Sequence, residues 1–329
     1  MWYDNSLMLS HNKVFNFVVG NRGGGKTYNA KKWCINDYKR KGKHFVWIRR
    51  YKSELEKDKI SRFFDDVCEM FPDDKLEVKG KTCFINGEKF GEFIALSVQL
   101  TYKSVPFPKV NKIIFDEFII LKGTMHYLTN EVREFLELFE TIARMRNDVR
   151  VTFLGNMISV VNPYFLYFNI KPNFGNRFTV NDKITVEFFK DEEFIEAKKK
   201  TKYGKAITGT EYGDYAIENE SLTDNMTFIE KKTNKAEFMC AMKYKNRFYG
   251  FWVDFQAGYI FVNGQYDPSS YNLYCLTKDD HEPNMLLIKS LATNKPLQRI
   301  IYAFQNGLVR FSDMQVKNQF YEFITFFIR

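Results

Sequence analysis

The chain has 329 residues and a formal net charge of +9 at pH 7, so it is long enough for about two domains and its charge favours polyanionic partners. The 5 cysteines form no C-x-x-C pair and the 4 histidines are isolated, which argues against a disulfide framework or zinc site and fits a reducing compartment. The segment 1–10 lacks the basic region and apolar run of a signal peptide.

The segment from Gly20 to Thr27 fits G-x-x-x-x-G-K-[ST], the phosphate-binding loop of P-loop NTPases. The apolar run 14–19 predicts a buried strand before it, and residues 28–41 predict a helix after it, which is the context that the motif requires. Inward-pointing backbone N–H groups and the start of the helix would hold a polyphosphate. The alternative is a glycine-rich turn before a helix. The residues predicted to bind ATP are Gly20, Arg22, Gly23, Gly24, Gly25, Lys26 and Thr27.

Two residues of this loop have predicted roles of their own. Lys26 would reach the β- and γ-phosphates, and the hydroxyl of Thr27 would bind Mg²⁺.

The segment after the loop helix predicts a strand, a helix and a hairpin. The strand covers 44–49 and ends in a basic run that contains Arg49, Arg50 and Lys52. Apolar residues at helical spacing predict a helix over 54–71, which Pro72 would stop. Further on, strand-like pieces 76–78 and 83–85 precede Asn86-Gly87, a strong hairpin signal, and 92–98 predicts another strand. The stretch 102–109 predicts a surface loop.

The next apolar strand, 112–115, ends in Asp116-Glu117, which is the Walker B pattern. The carboxylates would emerge at the edge of the sheet where the phosphate loop lies. Asp116 would hold Mg²⁺, directly or through water, and Glu117 would polarise the attacking water. Taken alone, the pattern could equally be a strand ended by solvated acids.

Residues 129–145 predict a helix and 149–154 predict a strand that leads to Asn156. This Asn is either a sensor of the γ-phosphate or the attacking water, or an ordinary turn residue. The uncharged stretch 151–170 is long enough to span a membrane, but its polar residues, Gly155 and Pro163 interrupt it too often for a spanning helix. We expect a buried strand, a loop and a short helix there, and no membrane partner.

The order of these elements predicts an α/β fold, with a mostly parallel sheet and helices on both faces. The Glu after the Walker B Asp indicates the ASCE subgroup of P-loop NTPases, to which ring translocases and recombinases belong. We place the ATPase domain at 1–190, a linker or small bridging subdomain with a lysine-rich run at 191–225, and a smaller α+β domain at 226–329. The lysine run would form a solvated face or bind phosphates.

Several longer runs carry a resemblance to a known family. They include the strand end Val46-Trp47-Ile48-Arg49-Arg50-Tyr51-Lys52, the run Ser159-Val160-Val161-Asn162-Pro163-Tyr164-Phe165-Leu166, and Gly209-Thr210-Glu211-Tyr212-Gly213. Together with the two NTPase motifs and Trp252-Val253-Asp254, they make nearly the whole chain resemble the DNA-packaging ATPases of phi-29-type tailed phages.

This resemblance implies a pentameric ring at the portal vertex of an empty prohead, which pumps double-stranded DNA inward with ATP and Mg²⁺. It implies a host-cytoplasmic protein that sits transiently on the prohead. It also implies a C-terminal domain with a vestigial RNase H-like nuclease fold that docks on the prohead, through a structural RNA in the best-known members. The family supplies an arginine finger in trans, and that position matches Arg144, with Arg146 as the near alternative. Both could instead cap the preceding helix.

Some roles stay open at this point. Arg49, Arg50 and Lys52 would sense nucleotide, contact a neighbouring subunit or restrain Glu117. Pore-loop lysines would grip DNA phosphates without sequence preference. The candidates are Lys103, Lys109 and Lys122.

The leading hypothesis is an ATP-driven translocase on double-stranded DNA. The first alternative is a terminase-like ATPase whose C-terminal domain cuts DNA with metal ions, held by acids such as Asp254, Asp267, Asp279 and Asp280. The second alternative is a nucleotide-switched adaptor that hydrolyses ATP poorly, and Glu117 argues against it because a switch needs no positioned water.

Overall fold

The structure is a computed structural model that describes residues 2–120, 126–156, 162–168, 170, 176–210, 212–213, 217, 228–288 and 294–328. It divides into two units, Met1–Thr223 and Asp224–Arg329. Among the helices of the described residues, none combines the length and the apolar character needed to cross a membrane.

The first unit alternates strands and helices along the chain. Its strands are β1 (Phe15–Gly20), β2 (His44–Arg49), β3 (Leu76–Lys79), β4 (Thr82–Ile85), β5 (Glu88–Ala95), β6 (Val110–Asp116), β7 (Arg150–Asn156), β8 (Phe178–Val180) and β9 (Ile184–Phe189). Its helices are α1 (Ser6–Ser10), α2 (Lys26–Lys41), α3 (Lys57–Ile60), α4 (Glu131–Ala143), α5 (Pro163–Tyr167), α6 (Glu192–Lys200) and α7 (Lys202–Ile207).

The strands of this unit form one sheet in the order β3-β4-β5-β2-β6-β7-β1-β9-β8. The strands from β5 to β9 in this order pair in parallel, whereas β3, β4 and β8 pair antiparallel at the two edges. The prediction of a mostly parallel sheet is therefore confirmed. Parallel pairing brings the carboxyl ends of β1, β2, β6 and β7 to the same edge, which is where the predicted motifs lie.

Helices cover both faces of the sheet, because the strands are apolar on both sides. On one face, α2 packs its buried Ala30 and Ile35 in a cluster with Val18 and Leu154. On the other face, Phe153 stacks on Phe17 with ring centroids 4.3 Å apart, and Phe135 of α4 lies 4.9 Å from Phe153. The strand and the short helix expected over 151–170 are seen as β7 and α5. The loop expected between them falls on residues 157–161, which, like residue 169, lie outside the described residues.

The helix predicted over 54–71 is wrong. The chain forms 3₁₀ turns at Lys52–Leu55 and Cys68–Met70, with only the short α3 and a series of turns between them. Ile60, Phe64 and Val67 are all buried, as a helix would have placed them. Successive turns keep the same spacing of buried residues, so the apolar pattern does not distinguish the two structures.

Smaller differences concern lengths and ends. The strand predicted over 92–98 runs as β5 over Glu88–Ala95, and Leu96–Tyr102 forms 3₁₀ turns. The segment predicted as a linker contributes α6 and α7, and the first unit extends to Thr223.

The second unit contains β10 (Glu237–Tyr244), β11 (Arg247–Asp254), β12 (Tyr259–Asn263), β13 (Leu273–Cys275), β14 (Leu286–Leu287) and β15 (Val309–Phe311), with helices α8 (Lys295–Gln305) and α9 (Met314–Ile328). Its sheet has the order β14-β13-β10-β11-β12-β15. The succession of strand candidates before the helices of this unit predicts antiparallel pairing. The pairs β10–β13, β12–β15 and β13–β14 are instead parallel, so the sheet is mixed.

Two predicted elements of this unit differ at their ends. The sequence predicts a helix over 288–306, and the structure begins it at Lys295, where the side chain of Asn294 accepts the Leu297 N–H at 3.0 Å; residues 289–293 lie outside the described residues. The sequence also predicts a strand over 226–231, of which the structure shows a single bridge from Ile229 to Phe311; residues 226 and 227 are not described.

Candidate functional site

The phosphate loop lies between β1 and α2, as the motif predicts, and lines a cavity of about 240 Å³ together with the ends of β6 and β7. Gly23 and Gly25 have φ of 84° and 86°, a conformation that glycine adopts without strain. Gly25 is also the N-cap of α2, which begins at Lys26. The loop therefore brings backbone N–H groups and the positive end of a helix to one concave surface, which suits a polyphosphate.

The ammonium of Lys26 lies in the middle of this cavity. It donates to the carbonyls of Gly20 and Asn21 at 3.0 and 2.6 Å, and to Oδ1 of Asn156 at 3.3 Å. Burial lowers the pKa of Lys26 to about 7. The hydrogen bonds of this buried cation all go to neutral oxygens, and the negative charge near it is that of Asp116, so the residues present fit an anionic ligand. The contact also brings Asn156 to the phosphate loop.

Thr27 and Asp116 meet at the mouth of the loop, with the Thr27 hydroxyl 3.3 Å from a carboxylate oxygen of Asp116. Burial raises the pKa of Asp116. A hydroxyl and a carboxylate are the oxygen donors that Mg²⁺ prefers, and Mg²⁺ fills its other positions with water and phosphate oxygens. The donor set therefore fits the cation that the sequence predicts.

Glu117 follows β6 with φ of 58°, an uncommon conformation for a residue other than glycine. Its side chain is 55% exposed and accepts a hydrogen bond from Nη2 of Arg49 at 2.6 Å. Arg49 also donates to Asp116 at 3.2 Å and to Glu54 at 2.8 Å. Of the roles left open for Arg49, restraint of Glu117 is the one that these contacts support.

Arg50 has a different environment from its neighbour. Its side chain is 1% exposed and forms an ion pair with Glu131 at 2.7 Å. It also donates to the carbonyls of Glu117 and Phe118 at 3.2 and 2.9 Å. These contacts fix the backbone that carries Glu117. Lys52, in contrast, is exposed.

The two candidate trans arginines also differ. Arg146 donates to the carbonyls of Phe107, Pro108, Val110 and Ile142 at 2.6 to 3.1 Å, so it ties the end of α4 to the segment before β6. Arg144 is exposed and has φ of 49° at the end of α4. Arg146 is therefore used within its own chain, whereas Arg144 is exposed at the end of α4.

The predicted DNA-gripping lysines remain a prediction. Lys103 is 58% exposed and lies 3.6 Å from Glu137, and Lys109 is exposed. Lys122 lies outside the described residues.

Three of the four acids considered for a nuclease site in the second unit, Asp254, Asp267 and Asp280, accept hydrogen bonds from backbone N–H groups. The carboxylate of Asp254 accepts the N–H groups of Gln256 and Ala257, both at 2.8 Å. Asp267 accepts the N–H of Ser269 in its own turn at 2.9 Å, and Asp280 accepts the N–H groups of Lys245 and Asn246, between β10 and β11, at 3.0 and 2.7 Å. Within the described ranges, no group of three or more His, Cys, Asp or Glu residues could hold a metal ion. These contacts do not favour the nuclease alternative.

Sequence reasoning missed four side chains at or behind the site. Trp2 and Tyr28 line the cavity, Glu54 pairs with Arg49, and Glu131 pairs with Arg50. Tyr28 follows the motif directly and could have been included. Trp2 and Glu131 are far in sequence from the residues they contact, so only the tertiary structure identifies them. Glu54 lies five residues after Arg49, in a 3₁₀ turn where the sequence predicts a helix.

A phosphate loop and a Walker B strand that meet at one edge of a mostly parallel sheet define a P-loop ATPase. Comparison with known proteins identifies the family. Residues 1–327 match the family model described as podovirus DNA encapsidation protein (Gp16), and the chain belongs to this family. It is thus a bacteriophage DNA-packaging ATPase.

The relatives agree over almost the full length. The DNA packaging protein of Bacillus phage phi29 is 40% identical over 322 residues, which covers 98% of this chain and 96% of the relative. A chain from the bacteriophage phi-29 genome packaging motor assembly aligns with a TM-score of 0.84 at 40% identity and covers 98% of both chains. The N-terminal domain of the phi29 DNA packaging ATPase aligns with a TM-score of 0.56 at 44% identity, covering 59% of this chain and 98% of the other.

Proposed function

We propose that this chain couples ATP hydrolysis to the translocation of viral double-stranded DNA into a preformed prohead, and that it does so as a homomeric, pentameric ring. The observation that carries the proposal is the convergence of Lys26, Thr27, Asp116, Glu117 and Asn156 on one cavity in a DNA-encapsidation protein. Each of these residues has a chemical role in ATP hydrolysis.

In the proposed mechanism, the backbone N–H groups of Gly23 to Lys26 hold the phosphates and Lys26 supplies positive charge. Thr27 and Asp116 would hold Mg²⁺, which neutralises charge on the β- and γ-phosphates when bound. Glu117 accepts a proton from the attacking water, and Asn156 orients that water or the γ-phosphate. Arg49 holds Glu117 through the 2.6 Å contact until the nucleotide and DNA release it.

Arg144 is the proposed trans residue. Because it is exposed at the end of α4, it can enter the site of a neighbouring subunit and stabilise charge that develops on the γ-phosphate. Arg146 is the weaker candidate, since its guanidinium already satisfies four carbonyls of its own chain.

The partners follow from the same proposal. The ring docks at the portal vertex of the prohead through the C-terminal domain, for which we propose an RNase H-like ancestry. A structural RNA is the first docking partner to test. The protein would act in the host cytoplasm and transiently on the prohead. Lys103, Lys109 and Lys122 contact DNA phosphates, so binding should be independent of sequence and weaken with salt.

The test is steady-state ATP hydrolysis at low salt over a range of protein concentration, with and without double-stranded DNA. We expect DNA to raise the rate and specific activity to rise with protein concentration, because each site needs a second subunit. Equal rates with and without DNA, at a specific activity independent of concentration, would contradict the proposal. If no hydrolysis is seen, proheads are added to separate a platform-dependent ring from a nucleotide switch.

A mixing experiment tests the shared site. Arg144→Ala subunits and Glu117→Gln subunits should each be inactive and should recover part of the activity when mixed, because some interfaces then contain one intact Glu117 and one intact Arg144. The matched control is Arg133→Ala, a change on α4 at a side chain that is 79% exposed, which should retain activity without mixing. Failure of the mixture to recover would place Arg144 outside the shared site.

A further inference from the structure

Trp2 lies at the nucleotide cavity, although it precedes the phosphate loop by some twenty residues in the sequence. Its side chain is 66% exposed and lines the same cavity as Gly23 to Tyr28. Single exposed apolar side chains are common on protein surfaces, so exposure alone carries no argument. The argument rests instead on the position of this ring within the cavity.

The backbone beside Trp2 is fixed to the phosphate loop. The N–H of Tyr3 donates to the carbonyl of Gly24 at 3.0 Å. The Tyr3 side chain is buried, and its hydroxyl donates to the buried Glu187 at 2.9 Å. The backbone that carries Trp2 is therefore anchored to the phosphate loop through its neighbour Tyr3.

The indole itself packs on the loop. A Cβ atom placed on Gly25 would lie 2.5 Å from Cε3 of Trp2, so the ring rests where this glycine has no side chain. The ring of Tyr28 lies beside it, with centroids 5.7 Å apart and an angle of 35° between the planes. The two rings form an aromatic pair that is held in place and remains open to solvent.

The direction of a bound nucleotide places its base near this pair. The terminal phosphate must face Glu117, because that carboxylate acts on the attacking water. The phosphate chain then runs along the loop toward the first turn of α2, where Tyr28 follows Thr27. A nucleoside that leaves the phosphate chain at this first turn would lie beside Tyr28 and Trp2, which line the same cavity.

We propose that Trp2, with Tyr28 beside it, is the platform on which the base of the nucleoside triphosphate stacks. This inference rests on the ATP-driven function proposed above. Stacking recognises the face of a base rather than its hydrogen-bonding edge. The platform therefore favours purines, which offer the larger surface, over pyrimidines, and by itself does not separate adenine from guanine.

The test compares ligands with and without a base. ATP, GTP, CTP and inorganic tripolyphosphate are titrated calorimetrically in a Glu117→Gln background, where hydrolysis does not consume the ligand. Trp2→Ala should weaken ATP and GTP on the order of tenfold and CTP less, because base–aromatic stacking is worth about 1–3 kcal/mol. Tripolyphosphate affinity should stay within about twofold, since its contacts are with the loop and Lys26.

Two further variants control for structure. Trp2→Phe keeps a ring and should retain most of the ATP affinity. Leu7→Ala removes another exposed apolar side chain of the same segment, 55% exposed, and should change neither affinity. In addition, ATP but not tripolyphosphate should quench the tryptophan fluorescence of the parent protein, and Trp2→Phe should lose this signal.

Three results would overturn the inference. If Trp2→Ala weakens tripolyphosphate as much as ATP, the ring only shapes the loop. If it changes neither, the base binds elsewhere. If the parent protein binds neither ATP nor tripolyphosphate, the ATPase proposal itself fails, and the stacking platform fails with it. If the parent protein binds both and Trp2→Ala changes neither affinity, only the stacking platform is removed.

Discussion

In the first unit the carboxylates of Asp116 and Glu117 accept hydrogen bonds from the charged side chain of Arg49, whereas in the second unit Asp254 and Asp267 accept them from nearby backbone N–H groups. The first arrangement leaves lone pairs for a cation or a water. The second uses the carboxylate oxygens to close turns, as Asp commonly does in loops. An acid at the end of a strand is therefore informative only together with its partners.

The backbone conformation also differs between the acids of the two units. Glu117 has φ of 58° and its carbonyl is held by the buried Arg50, so a strained residue is kept at the end of β6 by a dedicated ion pair. Strain of this kind persists where the surrounding structure imposes it and is often found at functional sites. Asp254 closes a turn between two antiparallel strands, β11 and β12, which any turn-forming acid could do.

The largest expected effect separates the two sets of acids by activity. Glu117→Gln should lower ATP hydrolysis by about 10²–10⁴-fold, the usual contribution of a general base, while ATP binding persists. Asp254→Asn should leave hydrolysis within about twofold of the parent. Both are measured by steady-state hydrolysis and by nucleotide titration. A Glu117→Gln variant with near-normal turnover would show that another group positions the water.

The next effect concerns stability behind the site. Arg50→Met leaves Glu131 buried without its cation and should lower the free energy of unfolding of the first unit by about 3–5 kcal/mol, as measured by urea unfolding. The double variant Arg50→Met, Glu131→Gln should recover part of this loss, because no uncompensated charge remains. A single variant as stable as the parent would mean that Arg50 does not support the Glu117 backbone.

A smaller effect concerns the restraint of Glu117. Arg49→Gln removes the 2.6 Å contact with Glu117. The rate of hydrolysis without DNA should then rise relative to the rate with DNA. The increase should be about tenfold at most, because a single charge-assisted hydrogen bond to a half-exposed carboxylate is lost. The ratio of the two rates is the measurement, and Lys52→Gln, at an exposed neighbour, is the control. An unchanged ratio would remove Arg49 from the proposed restraint.

The sequence predicts the ATPase core well because local patterns determine it. The P-loop, β1, α2 and the Asp116-Glu117 strand end follow from motif and hydrophobic period. The acidic partners of Arg49 and Arg50 do not follow from these local patterns, because Glu54 lies in an irregular turn and Glu131 lies on another element. The segment 54–71 was mispredicted since turns and helix bury the same residues, and in the second unit the apolar runs do not reveal which strands pair in parallel.

The smallest effect tests the acids of the second unit by pH. Hydrogen bonds from Thr233, Ala257 and Gln256 hold the pKa of Asp254 below its ordinary value of 3.8. Because the folded pKa is the lower one, this stabilisation is present above that value and is lost as the pH falls through the lowered pKa. Asp254→Asn should therefore slightly lower the unfolding midpoint of the second unit at neutral pH, and the difference from the parent should shrink in acid.

The same variant tests for nuclease activity. Neither the full-length parent nor full-length Asp254→Asn should cleave DNA with Mg²⁺ or Mn²⁺. Metal-dependent cleavage by the parent that Asp254→Asn abolishes would restore the nuclease alternative, and it would mean that Asp254 exchanges its turn contacts for a metal ion.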